Sequence, residues 1–134
     1  MKSIILAALL AASLVQQQKV VSASKAWIKA PAAGETTAIA FVVVDNPTMY
    51  DVYLVSASTD AAGKVQFQKI VGTNTEVIEH LTAPAYDSIE FKPGGNQLLL
   101  LDLKRPLKPG DKVWISLATD GGTTIEAEAE VREK

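Results

Sequence analysis

After residue 30 the chain is cut by Gly, Pro, Asn and Asp into segments too short to be helices, and these segments are β-branched or alternating. No long stretch with a period of 3.6 residues interrupts them. Residues 37–45 (Thr-Ala-Ile-Ala-Phe-Val-Val-Val-Asp) are almost continuously apolar, as in a central strand covered on both faces. Asn46-Pro47 ends that strand, because proline removes a ladder donor. Residues 52–58 form the next segment and 59–63 its turn. In residues 65–70, Val65, Phe67 and Lys69 alternate with Gln66, Gln68 and Ile70. Segments at 75–78, 88–92, 97–103 and 112–118 follow, divided by Gly72-Thr73-Asn74, Pro84, Gly94-Gly95 and Pro109-Gly110-Asp111. The last segment, 123–131, sets Ile125, Ala127, Ala129 and Val131 against Glu126, Glu128 and Glu130, giving one buried and one solvated face. About eight strands at this spacing predict an all-β Greek-key sandwich or barrel in one domain. Phe41, Val43, Phe67, Ile89, Phe91, Leu101 and Ile115 are the expected core.

The first 23 residues read differently. Lys2, an apolar run over residues 4–15, a polar stretch at 16–19 and the small-residue site Val21-Ser22-Ala23 form the pattern of an export signal. The run is shorter than the roughly 20 residues a bilayer span needs. Removal after Ala23 predicts a domain of residues 24–134 in the periplasm or outside the cell, with no membrane insertion after cleavage; the alternative reading of the same run is an uncleaved N-terminal anchor helix. Segment 1–23 holds Lys2 and Lys19 and no acid. The domain therefore keeps 11 of the 13 basic residues against all 15 acids, a balance of −4. That balance argues against nucleic acid and anionic membrane surfaces as partners, which call for many clustered Lys and Arg. The chain has no cysteine, so neither a disulfide nor a lipid-bearing thiol is expected.

Residues 91–111 (Phe-Lys-Pro-Gly-Gly-Asn-Gln-Leu-Leu-Leu-Leu-Asp-Leu-Lys-Arg-Pro-Leu-Lys-Pro-Gly-Asp) resemble the signature segment of the periplasmic copper chaperones called PCu(A)C. In that family a Gly-Gly turn leads into a His-x-Met strand and then a Lys-(Lys/Arg)-Pro-Leu-x-x-Gly-Asp turn. Residues 26–31 are similar to its Ala-Trp-x-Arg-Ala opening, 34–47 to its first long strand, 56–70 to its Ser-Ser-Pro-x-Ala-Gly-x-Val-x-Leu-His-x-Met stretch, and 81–85 to Leu-x-Val-Pro-Ala. The resemblance implies a cupredoxin-like β-sandwich that carries copper(I). It also maps the ligands: the first His onto Gln68, the last His and Met onto Gln97 and Leu99, and the other Met, 22 positions before Gln97, onto Thr75. An amide, a hydroxyl and a leucine are poor partners for a soft monovalent ion.

The remaining soft donors outside the leader are His80, expected to face solvent, and Met49, expected to make a hydrophobic contact. The acids of the last strand read as a solvated face. No Gly-x-Ser-x-Gly elbow, phosphate loop or His-Glu-x-x-His occurs, and nothing in the sequence brings Ser88, His80 and Asp87 together as a triad. No catalytic or cofactor residue is therefore expected. Two functions remain. One is a metallochaperone delivering copper to an envelope partner through a non-standard site. The other is a metal-free module that binds an envelope protein with the old ligand end or an edge strand.

Overall fold

A computed structural model describes residues 20–133. Residues 1–19 of the expected leader lie outside that range. Ten strands run in chain order: β1 (Ser22–Lys29), β2 (Ala38–Asn46), β3 (Val52–Ser58), β4 (Ala62–Val71), β5 (Asn74–Ile78), β6 (Leu81–Ala83), β7 (Asp87–Glu90), β8 (Asn96–Leu103), β9 (Lys112–Thr119) and β10 (Thr124–Arg132). They form one hydrogen-bonded path, β5-β4-β8-β2-β1-β10-β9-β3-β6, with β7 also paired to β2. The path folds over so that its inner side encloses a single core, as a β-sandwich does. The all-β expectation holds, with two strands more than the eight read from the sequence. The additional ones are β1 and the three-residue β6, which Pro84 cuts short.

β1 is an internal strand, antiparallel to β2 and parallel to β10. Its first two residues, Ser22 and Ala23, already pair with Asp45 and Val44, so the strand starts inside the expected leader. One extra residue bulges between Ser24 and Trp27, where Lys25 takes a left-handed φ of 54°. Beyond the bulge Ala26 and Ile28 point into the core, and Trp27 stands on the opposite face beside Phe41.

β2 is covered on both sides, but its phase differs from the sequence reading. Ala38, Ala40, Val42 and Val44 enter the core. Phe41 is buried on the other face under Trp27, and Val43 there is only half-buried. A continuous apolar run has no period, so it cannot say which of its two sets faces inward. Leu101 is likewise half-buried, because Leu98 and Leu100 are the core-facing residues of β8. Phe67, Ile89, Phe91 and Ile115 are buried as expected. β10 alternates as its sequence does, with Ile125, Ala127, Ala129 and Val131 inside.

Asn46 closes β2 by more than the proline after it. Its side chain is fully buried and completely satisfied. Nδ2 donates to the carbonyls of Tyr50 and Ala83 at 2.8 Å each, and Oδ1 accepts from the Thr48 amide at 3.0 Å and the Thr48 hydroxyl at 2.6 Å. One amide thus ties the β2–β3 loop to β6. Met49 in that loop is 61% exposed and lies outside the buried core. Gly63 sits at a close approach. A Cβ there would lie 3.1 Å from the Cβ of Asp102, which has a left-handed φ of 56°.

Candidate functional site

The outward face of β5, β4, β8, β2 and β1 collects the residues singled out by the sequence. Gln68 on β4 and Gln97 on β8 are direct cross-strand partners, and Gln97 Nε2 donates to Gln68 Oε1 at 2.9 Å. Gln68 Nε2 in turn reaches Gln66 Oε1 at 3.4 Å. Leu99 lies two residues along the same face, opposite Gln66 on one side and Ile39 on the other. Thr75 on β5 pairs with Ile70, which puts it diagonal to Gln68, whose own partner is Val77. Thr75 is exposed and Leu99 half-buried. All four positions therefore share one patch, in which the two glutamines are hydrogen-bonded to each other.

The glutamines are buried, at 9% and 7% exposure, despite lying outside the core. The Trp27–Phe41 pair, with ring centroids 4.8 Å apart, walls them on the β1–β2 side, and the Arg132 guanidinium sits 5.7 Å over the indole. A buried amide costs about 1–3 kcal/mol if left without a partner; here Gln97 Nε2 satisfies Gln68 Oε1, and Gln68 Nε2 turns to Gln66. Among the described residues no buried side-chain N or O lacks a hydrogen bond. A mutational cycle should expose this dependence. Gln68→Leu or Gln97→Leu alone should cost about 1–3 kcal/mol, and the double variant should recover part of that, because two apolar groups replace a buried hydrogen-bonded pair. Urea unfolding of the four proteins measures the coupling. Additive losses would show that the pair is not a unit.

Chemically the patch is neutral and closed. Two hydrogen-bonded amides can neither exchange a proton near neutral pH nor act as a nucleophile. Among the described residues no group of three His, Cys, Asp or Glu comes together to hold a metal ion. His80 is exposed in the short β5–β6 connection. Asp87 and Ser88 begin β7, where Asp87 Oδ1 accepts from the Ser88 amide at 2.7 Å. Glu126 and Glu128 are exposed, and Glu130 is half-buried with Lys112 and Arg132 at 3.8 and 3.2 Å.

Sequence reasoning missed a groove that leads away from the glutamines. A cavity of about 290 Å³ is lined by Gln97, Trp27, Phe41, Pro93, Lys29 and Ile39. The last two also line one of about 220 Å³ that reaches Leu99, Pro31 and Glu35. Pro31, Ala32 and Glu35 are shared with an adjacent cleft of about 620 Å³ between the β1–β2 loop and the β8–β9 loop. Lys104, Arg105 and Lys108 stand on the cleft, with Leu103 and Leu107 among its walls. The loops are fixed by backbone bonds from Leu103 N to Thr36 O (3.0 Å) and from Gly110 N to Val131 O (2.9 Å). The basic cluster was visible in the sequence, but only as a turn.

This architecture is that of the PCuAC domains, a cupredoxin-like β-sandwich. The structure matches the copper-bound PCuAC domain from PmoF2 with a TM-score of 0.74 at 19% identity, over 88% of this chain and 100% of that one. It matches the solution structure of Cu(I)-DR1885 from Deinococcus radiodurans with a TM-score of 0.71 at 26% identity, over 92% of this chain and 87% of that one. By sequence, residues 21–131 match the family described as "LpqE-like: Putative lipoprotein LpqE-like", and the chain belongs to that family. A relative from Leifsonia xyli subsp. xyli (strain CTCB07), "Putative lipoprotein Lxx21020", is 31% identical over 118 residues, covering 84% of this chain and 70% of the relative.

Proposed function

We propose that this chain is an exported, non-enzymatic PCuAC-like domain of the cell envelope that has given up copper(I) and binds a protein partner through the former ligand face. The observation that carries the reading is the 2.9 Å hydrogen bond between the buried side chains of Gln68 and Gln97. The residues that the resemblance maps onto two imidazole ligands are hydrogen-bonded to each other, and their neighbours Leu99 and Thr75 offer an alkyl group and a hydroxyl. Copper(I) prefers thiolate, thioether or imidazole donors, so this set does not fit the ion. Replacing a methionine by leucine keeps volume and apolarity, which is how a sandwich can persist after its metal chemistry is lost. The envelope location is supported by the leader-like first 23 residues and by the lipoprotein description of the family.

The copper-bound structural neighbours favour the second reading, a chaperone using a non-standard site. That site would have to draw on His80 and Met49, the soft donors after the leader, both of them exposed. A competition titration against a chromogenic Cu(I) chelator decides between the readings. The expected result is no stoichiometric withdrawal of copper from the chelator by the unmodified protein. Tight one-to-one withdrawal overturns the metal-free reading.

A further inference from the structure

Building on the protein-binding reading, we infer that the groove from Trp27 and Gln97 to Lys104 and Lys108 takes an extended, acidic segment of a partner protein, with apolar side chains between its carboxylates. The floor is apolar along its length: Phe41 at one end, Ile39 and Leu99 in the middle, Leu103 and Leu107 at the other. The rim is cationic. Lys29, Lys104, Arg105 and Lys108 line the three adjacent cavities against a single acid, Glu35. The groove therefore holds four of the 13 basic residues and one of the 15 acids of a chain whose net charge is −2.

These cations are available. Among the described residues Lys29, Lys104 and Lys108 have no ion pair, and Arg105 meets the exposed Asp60 only at 3.9 Å. A local excess of positive charge over an apolar trough complements an anionic and apolar ligand.

The strands beneath the groove select the mode of binding. β8, β2 and β1 each have neighbours on both sides, so no open edge is offered for strand addition, and recognition falls to side chains. The neighbouring strand argues against a flat anionic membrane. Glu130 of β10 pairs with Trp27 on this same face, with Glu128 and Glu126 further along it. A lipid surface pressed against the sheet would meet those carboxylates, whereas a narrow peptide follows the groove and avoids them.

The test is a selection from random peptides of about twelve residues, long enough to span roughly 40 Å when extended, on the immobilised protein. Selected sequences should be enriched in Asp and Glu alternating with Leu, Val or Pro. Their affinity, read by fluorescence anisotropy, should fall at least tenfold in K104E/R105E/K108E and weaken steeply with added salt. Trp27 emission should respond in a Trp114→Phe background, which removes the other, exposed indole. No enrichment, enrichment of basic peptides, or indifference to the triple charge reversal overturns the inference. So does binding to phosphatidylglycerol vesicles in the absence of peptide binding. Cu(I) titration of the same preparation keeps the two readings apart. Peptide binding together with tight copper binding sinks only the metal-free reading, while absence of both sinks only the groove.

Discussion

Converting Gln68 and Gln97 to histidine and Leu99 to methionine should raise Cu(I) affinity by at least roughly a thousandfold, or about 4 kcal/mol at 1.4 kcal/mol per decade. The geometry for this already exists. Positions 68 and 97 are opposite one another, 99 is diagonal to 68 across the β4–β8 ladder, and 75 is diagonal to 68 across the β4–β5 ladder. Opposite residues have Cβ atoms about 4.5–5.5 Å apart and diagonal ones about 7–8 Å, within reach of imidazole and thioether side chains. Adding Thr75→Met should tighten binding further by completing a four-donor set. The chelator competition measures the gain, with circular dichroism verifying that each variant is folded. A folded triple variant that competes no better than the unmodified protein would show that these positions are not an inherited ligand set.

Replacing Asn46 by leucine should be the most damaging single change outside the apolar core. The exchange keeps approximate volume but strands the buried Ala83 carbonyl and removes the bonds to the Tyr50 carbonyl and to the Thr48 amide and hydroxyl, of which the hydroxyl still donates to the Tyr50 carbonyl at 3.1 Å. At about 1–3 kcal/mol for the buried carbonyl left without a partner and about 0.5–1.5 kcal/mol for each of the part-buried bonds lost, a loss of about 3–5 kcal/mol is expected. For a domain of this size that lowers Tm by on the order of 15 °C or more. Asn46→Asp should fall between, since it retains the acceptor for Thr48 but turns a carboxylate oxygen toward two carbonyls. Thermal unfolding followed by circular dichroism is the measurement. A change under about 1 kcal/mol would mean that the loop finds other partners and that Asn46 is not its tie.

What the sequence disclosed follows from what local pattern can encode. β10 was legible because its Ile-Glu-Ala-Glu-Ala-Glu-Val order has a period of two, and β8 because Gly94-Gly95 and the Lys104-Arg105-Pro106 turn bracket it. β1 was not, since its Ser-Ala-Ser-Lys start is polar and small enough to pass for a cleavage region. It is held instead by two long-range neighbours, β2 and β10. The contact between Gln68 and Gln97 depends on the register of strands 29 residues apart, which no window of the chain contains. Only the family resemblance pointed there. The groove was hidden for the same reason: its cleft is built from loops near residues 31–35 and 103–109, remote in sequence and joined only when β8 and β2 pair.

The parallel pairing of β1 with β10 gives the domain a direction. β1 enters at Ser22, beside Asp45 and the β2–β3 loop, and leaves at Lys29, next to Arg132 and the basic cleft. Whatever precedes β1 is therefore attached at the pole opposite Lys104 and Lys108. If the domain were tethered to a bilayer from that side, the mouth of the groove would open outward, at arm's length from the lipid, toward whatever diffuses through the envelope.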